Sequence, residues 1–574
     1  MVLSTDDGAP SDQAPYRLDA SRLECMNLRE TARPGEYEIV VPEYANMAAD
    51  TVGRWARGPR RDHPALIFEA PDLSSEAWSF AEVDELANRL AARLAVLGVQ
   101  RGTRVAVHTG LRPETGLAHL AIYKLGAIAV TLSQLYGPDT LHHVLDHSET
   151  EVIFTRDTAW DRYRRVCGKF RSLKHCIVVG TAQGDEIPFA ECLLGPAAGL
   201  RPVATRADDP ALLMYTSGST GLPKGILHGH RVLHAYLPSV HLFFNLDVDD
   251  PRAVFWSPAD WAWVGGLLDL LLAAWALGHT VVTSEHRFDA EWALAFMERR
   301  GVTHAFLTPT AIKRLAEVRR PRARWPGLRL RVLCTGGESL PSRALQWCEE
   351  ELGVVCNEFY GLTEVNHLIG CCKALYPTRP GSMGLAYPGH GTTVVDEAGN
   401  ELPAGEVGEI VTRADDPTRF LGYWKDPAKT DELHLTPRWL RTRDPGSRDA
   451  DGYFWYHGRS DDLIKSAGYR IGPAEVEDCL LRHPAVAEAA VVGSPDADRG
   501  SIVKAFVRLN EGYDPGASLT RELQEHVKSN LAAYKYPREI AYVNRFEMTS
   551  SGKINRRVLR EAEARAKSAA TGGG

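Results

Sequence analysis

None of the ten cysteines stands in a CxxC pair, and the adjacent Cys371 and Cys372 are poorly spaced to share one ion. Neither a zinc knuckle nor a disulfide framework is indicated, and reduced, mostly buried thiols are expected. A basic excess is missing too. Against 66 Lys and Arg stand 74 Asp and Glu, a net charge of -8, which offers no attractive field to nucleic acid or an anionic membrane. The one basic cluster, RRPRAR (Arg319 to Arg324), reads as a solvated loop. The most apolar stretch, VGGLLDLLLAAWALG (Val264 to Gly278), is shorter than the ~20 residues of a membrane span. It also carries Asp269, so it predicts a buried helix. The N-terminal MVLSTDDGAPSDQAP is polar and acidic, unlike a signal peptide. These absences lead to the expectation of a cytoplasmic protein with no membrane span and no nucleic-acid partner; homo-oligomerisation stays open.

What is present is an ordinary globular composition, 44% hydrophobic and 24% charged, in a 574-residue chain too long for one core. WSFAEVDELANRLAARLAVLG predicts a helix with Leu86, Leu90, Leu94 and Leu97 on one face. RVAVHTG, AIAVTLS, EVIFTR and HCIVVG are short β-rich runs separated by helical stretches, and TVVTS, HAFLTP, LRVLCTGG and VVCNEFYG continue the alternation. That pattern predicts α/β layers with largely parallel strands. After about residue 385, Gly- and Asn-broken strands suggest a small β-barrel or meander. Beyond GRSDDLIKSAGYRIGPAEVE, with Pro473 at a helix start, the chain reads as a compact α+β unit. The expected division is a flexible lead-in over 1–40, a large domain over 41–458, a small domain over 459–560 and a frayed tail over 561–574.

YTSGSTGLPKG (Tyr215 to Gly225) follows an apolar run and reads as a phosphate-binding loop. It is not a Walker A loop, whose two glycines are four residues apart and followed directly by Lys-Ser/Thr. TGGESL (Thr335 to Leu340), NEFYGLTE (Asn357 to Glu364), LRTRD (Leu440 to Asp444), GRSDDLIKSAGYRIGPAEVE (Gly458 to Glu477) and SSGKINRR (Ser550 to Arg557) follow in order. One Gly-rich loop is a weak signal; this ordered set is a strong one. From about residue 45 to about residue 560 the chain resembles the adenylate-forming superfamily, in particular medium-chain acyl-CoA synthetases and their bacterial relatives. The resemblance implies a layered α/β N-terminal domain with a small β-barrel-like subdomain, and a small, mobile α+β C-terminal domain.

It also implies the chemistry. A carboxylate resists nucleophilic attack; joining it to ATP makes an acyl-adenylate and pyrophosphate, and the thiol of coenzyme A then displaces AMP. Because the first step brings anions together, cations and N–H donors are required. By resemblance, Thr216, Ser217, Gly218, Ser219, Thr220 and Gly221 surround the β- and γ-phosphates, with Lys224 adding charge. Gly336, Gly337, Glu338, Glu358, Phe359, Tyr360 and Gly361 line the nucleotide site, with Tyr360 on adenine. Thr363 lies near the α-phosphate and Glu364 holds Mg²⁺. Asp444 takes the ribose hydroxyls beside Arg459. Asp461 is the hinge; Gly468, Tyr469 and Arg470 face coenzyme A, Arg470 also lying near phosphate. Lys553 bridges the acyl carboxylate and the α-phosphate. One departure stands out. The family has glycine where this chain has Arg443, and arginine supplies neither a positive φ nor close packing cheaply.

For the acid, the resemblance places Trp261, Trp263, Gly265 and Gly361 around the acyl pocket, with His367 and Leu368 opposite. Glycine at 361, where acetate-specific relatives carry tryptophan, implies a deeper tunnel, and Gly361→Trp is expected to favour short acids. An apolar, aromatic lining suggests a medium-chain, branched or aryl acid. Loading of a carrier protein, a short-chain acid such as acetate, and a non-catalytic nucleotide-binding role remain open at this point. A metal site from His228, His230 and His234 has no recognisable ligand spacing.

Overall fold

The computed structural model describes residues 16–164, 170–196, 200–216, 223–338, 340–458, 464–466, 469–496, 500–531, 533–549 and 554–571. Two large sheets form the body. The first has eight strands, and at its centre Arg104–His108, Ile128–Thr131, Val152–Arg156 and His175–Val179 run parallel. The second has nine, with Thr280–Ser284, His304–Phe306, Val332–Gly336 and Val355–Leu362 parallel within it. Arg104–His108, Ile128–Thr131, Val152–Arg156, Thr280–Ser284 and Val332–Gly336 are almost wholly buried, as expected of parallel strands covered on both faces.

One core joins the sheets. Val105, Ala129 and Val152 of the first and Val281 and Val332 of the second belong to a single buried cluster with Leu267 to Ala276. That apolar segment is a buried helix, as expected, but its Leu267–Leu272 turn is a π-helix between α-turns Val264–Gly266 and Ala273–Ala276. The helix Phe80–Val96 starts at a capping box, Ser79 Oγ accepting from the Glu82 N–H and Glu82 accepting from the Ser79 N–H at 2.8 Å. Its buried face is Val83, Ala87, Leu90 and Leu94; Leu86 and Leu97 pack at the margin.

Beyond the second sheet, Thr393–Val395, Val407–Arg413, Trp439–Arg448 and Phe454–Tyr456 form an antiparallel meander. The small C-terminal domain has its own core. Val476 and Leu480 of helix Pro473–Leu481 pack with Val491, Val503, Leu523 and Val527. Its strands Val486–Asp496 and Gly500–Leu509 pair antiparallel, and Glu539–Tyr542 runs parallel beside them.

Three expectations are corrected. Residues 16–40 are not a flexible lead-in: Met26, Leu28 and Tyr37 are buried, Leu28–Glu30 pairs with Tyr37–Ile39, and Tyr16 stacks on Tyr376 at 5.1 Å. Scattered single apolar anchors do this without any periodicity to read. The tail is not frayed over 561–571, because a helix spans Arg556–Thr571. Charge pairs hold it: buried Glu563 accepts from Ser494 Oγ at 2.8 Å and pairs with Lys504 at 2.8 Å, while Lys567 pairs with Glu539 at 2.7 Å. Within RRPRAR, Pro321–Arg324 is a helical turn, and the Arg322 guanidinium donates to the carbonyls of Leu352, Leu328 and Leu330.

Candidate active site

Gly336 to Glu338 and Glu358 to Gly361, all expected to bind nucleotide, stand towards the carboxyl ends of two neighbouring parallel strands of the second sheet, which is where open α/β sheets take ligands. Strand Val332–Gly336 ends in two glycines that the backbone requires. A Cβ on Gly336 would fall 2.5 Å from the Phe359 ring, and Gly337 has φ +87°. Glu338 accepts from Thr310 Oγ1 at 3.3 Å. Glu358 accepts the Leu340 N–H at 3.0 Å; burial, opposed by that hydrogen bond, pushes its carboxyl up to about 8. On the same strand, the Tyr360 hydroxyl donates to Asp444 Oδ2 at 2.8 Å. Burial first, then the Asp444 charge, raises the Tyr360 phenol well above the ordinary tyrosine range.

Arg443 occupies the left-handed region at φ +63°, the conformation for which a glycine is best suited. For an L-residue this costs about 1–2 kcal/mol. Two acids hold the turn: Glu409 accepts the Arg443 N–H at 2.9 Å and pairs with Arg441 at 2.7 Å, while Glu432 pairs with the Arg443 guanidinium at 3.2 Å. The turn therefore survives the departure from glycine, and Asp444 stays in place with its N–H on Thr442 Oγ1 at 3.1 Å.

Thr216 and Lys224 face each other across the antiparallel pair of strands Pro210–Thr216 and Lys224–Gly229. Glu364 accepts from the Tyr423 hydroxyl at 2.7 Å, and Lys224 Nζ lies 5.9 Å from the Tyr423 ring centroid. Buried His228 is hydrogen-bonded through Nε2 to the Thr363 carbonyl at 2.8 Å, and burial lowers it to about 4. It therefore supports the Thr363 turn as a neutral ring. His230 accepts the Met47 N–H at 3.1 Å and His234 meets Asp50 at 3.0 Å, so the three histidines serve separate partners. Among the described residues no group of three or more side chains could hold a metal.

Ser217, Gly218, Ser219, Thr220, Gly221, Arg459, Asp461, Gly468 and Lys553 lie outside the described residues. The backbone of Tyr469 and Arg470 belongs to strand Tyr469–Ile471, paired antiparallel with Ile464–Ser466.

Of the residues expected around the acid, His367 is brought together with three aromatic rings: Phe359 at 4.3 Å, Tyr236 at 4.5 Å and Phe243 at 5.0 Å. Its Nδ1 meets Ser239 Oγ at 3.0 Å and its Nε2 meets Asp269 Oδ1 at 3.3 Å; both ring and carboxylate are buried. Asp269 reaches it from the π-turn, a distortion often found at functional positions. Gly265 packs against Phe306, whose ring lies 2.5 Å from where a Cβ would stand. Trp261 is fully buried, and Trp263 packs edge-on against Tyr136 at 6.0 Å.

Two expectations fail here. A Cβ on Gly361 would fall 1.8 Å from the Asn366 carbonyl oxygen, so the strand pairing itself demands glycine and Gly361→Trp cannot act as a simple pocket plug. Leu368, expected with His367 opposite Trp261, Trp263 and Gly265, packs instead in a separate cluster with Ile226, Ile410 and Phe454. Sequence reasoning weighed His228 only as a metal ligand and gave no role to Tyr423, which carries no motif. The one signal for Asp269 is an acid inside an apolar run.

Two large mixed sheets with parallel centres and a separate small C-terminal domain, taken with the chain's relatives, make this an AMP-forming acid–coenzyme A ligase. The chain belongs to the AMP-binding enzyme family, whose model matches residues 52–424, while the AMP-binding enzyme C-terminal domain matches 475–553. It is 33% identical to the acetyl-coenzyme A synthetase of Bacillus subtilis (strain 168), covering 90% of each chain. It is 35% identical to the mitochondrial acyl-coenzyme A synthetase ACSM5 of Homo sapiens, covering 91% of each. The structure of the anthranilate CoA ligase AuaEII in complex with anthranoyl-AMP superposes with a TM-score of 0.82 at 30% identity, over 92% of this chain and 99% of that one. Among the described residues no helix is long and apolar enough to cross a membrane.

Proposed function

We propose that this acyl-CoA synthetase activates a medium-chain, branched or aryl carboxylic acid in the cytoplasm, with Asp444 holding the ribose, Tyr360 flanking the adenine, and Thr363 and Glu364 at the phosphates. The observation that carries the assignment is the contact of Tyr360 with Asp444, residues 84 positions apart drawn together. Glu364 suits Mg²⁺: one of its oxygens accepts from Tyr423, the other can serve as a hard ligand, and Mg²⁺ commonly takes one or two carboxylates plus substrate phosphates. When bound, that ion would neutralise phosphate charge.

The acid adds its carboxylate oxygen to the α-phosphorus and pyrophosphate leaves. Lys553 supplies a cation between the two reacting anions. Coenzyme A then attacks the acyl carbonyl, past Gly468, Tyr469 and Arg470, and AMP leaves. Lys553 and the thiol need the same approach to that carbonyl, so the C-terminal domain turns about Asp461 between the half-reactions. The aromatic surroundings of His367 favour a flat or bulky acyl group over acetate. The test is ATP-dependent thioester formation with free coenzyme A over a panel of acids. Octanoate or benzoate should exceed acetate in kcat/KM; an acetate optimum contradicts the acid assignment.

A further inference from the structure

We propose that Lys224, Lys429 and Arg443 together form the seat of the leaving pyrophosphate, two of its three cations coming from outside the Gly-rich loop. The inference rests on the adenylation reading above. Three separate segments deliver the charges. Lys224 stands at the start of strand Lys224–Gly229, which pairs Ile226 with Tyr423. Lys429 lies on the short helix Pro427–Asp431, whose Thr430 hydroxyl accepts the Tyr423 N–H at 2.9 Å. Arg443, on its left-handed turn, is tied to the end of that same helix through Glu432 at 3.2 Å.

The charges of Lys429 and Arg443 both act on the Lys224 ammonium, which stands 5.9 Å from the ring centroid of Tyr423, the residue that the Lys429 helix holds through Thr430. Among the described residues neither lysine has a carboxylate within 4.0 Å. Burial, then Lys429, then Arg443 pull Lys224 below the ordinary lysine range, opposed by Glu364. Like charges gathered in this way repel one another, and a polyanion placed among them removes the repulsion. A diphosphate suits the set, because its charge spreads over several oxygens and a guanidinium can donate to two of them at once. The position agrees with the chemistry. As the carboxylate oxygen bonds to the α-phosphorus, the bond from that phosphorus to the bridging oxygen breaks and its electron pair leaves with pyrophosphate. Arginine in place of glycine at 443 thus gains a ligand in return for a strained backbone.

The test is titration of the full chain with inorganic pyrophosphate and, separately, with AMP, which lacks the two leaving phosphates. Lys429→Ala and Arg443→Gly, the latter well suited to the positive φ, should each weaken pyrophosphate binding at least tenfold and change AMP binding less than twofold. Pyrophosphate affinity within twofold of the unmodified protein in both variants overturns the seat. An equal loss for both ligands also overturns it, because it marks a merely structural role. Acid-dependent exchange of pyrophosphate into ATP by the unmodified protein separates the two levels. If exchange occurs while the variants bind pyrophosphate normally, the seat alone fails; if no acid supports exchange, the adenylation reading fails and the seat with it.

Discussion

The Tyr360 hydroxyl reaches Asp444 Oδ2 at 2.8 Å, linking the third strand of the nine-stranded sheet to the meander. A hydrogen bond to a charged group contributes about 1.5–3 kcal/mol. Tyr360→Phe keeps the ring and removes only the hydroxyl. The expected result is an ATP KM raised about tenfold with kcat changed much less, measured by pyrophosphate release at saturating acid. An unchanged KM would mean that the contact does not position Asp444.

Glu358 makes stability depend on pH in a defined direction. Its carboxyl is raised from 4.5 to about 8 in the folded protein, chiefly by burial. Between those values the folded state retains a proton that the unfolded chain has lost. The contribution of this group to stability is therefore fullest below about pH 4.5 and is lost as pH rises towards 8. Glu358→Gln keeps an acceptor for the Leu340 N–H and has no such proton. Its Tm relative to the unmodified protein should rise steadily from pH 5 to pH 8; a difference constant with pH contradicts the assignment.

The buried contact between His367 and Asp269 is expected to be costly to break from one side. Asp269→Leu should destabilise the protein by about 3 kcal/mol, since removing one partner strands the other. Urea midpoints at unchanged m-value measure the loss. The double variant with His367→Leu should lose less than the sum of the two single changes, whereas strict additivity would show that the pair is not coupled.

Under the proposed mechanism Lys553 and Asp461 serve different half-reactions. Lys553→Ala should abolish adenylation yet largely spare thioester formation from supplied acyl-adenylate. Asp461→Pro should slow the thioester step more than adenylation. Equal losses in the two assays for either variant would remove this division of labour.

Much of the layered body could be read from the chain, because parallel strands buried on both faces must be short, continuous apolar runs. The ordered motifs likewise brought Tyr360, Asp444, Thr363 and Glu364 into view before their contacts were known. Other features depend on tertiary partners that leave no local trace. Met26 and Tyr37 anchor a lead-in without periodicity, and the Arg556–Thr571 helix is held through Glu563 and Lys567 rather than by an apolar stripe. Arg443 keeps its left-handed turn because Glu409, 34 residues earlier, accepts its N–H. Gly361 looked like a tunnel opening in sequence, but Asn366 across the pairing explains it sterically. Lys429 acquires meaning only beside Lys224, two hundred residues away in the chain.

The most direct measurement is a product balance with ATP, coenzyme A and octanoate or benzoate. The account predicts one AMP, one pyrophosphate and one acyl-coenzyme A thioester formed together, at a kcat/KM above that for acetate. Release of ADP and phosphate, or adenylate formation without any thioester to free coenzyme A, would contradict it.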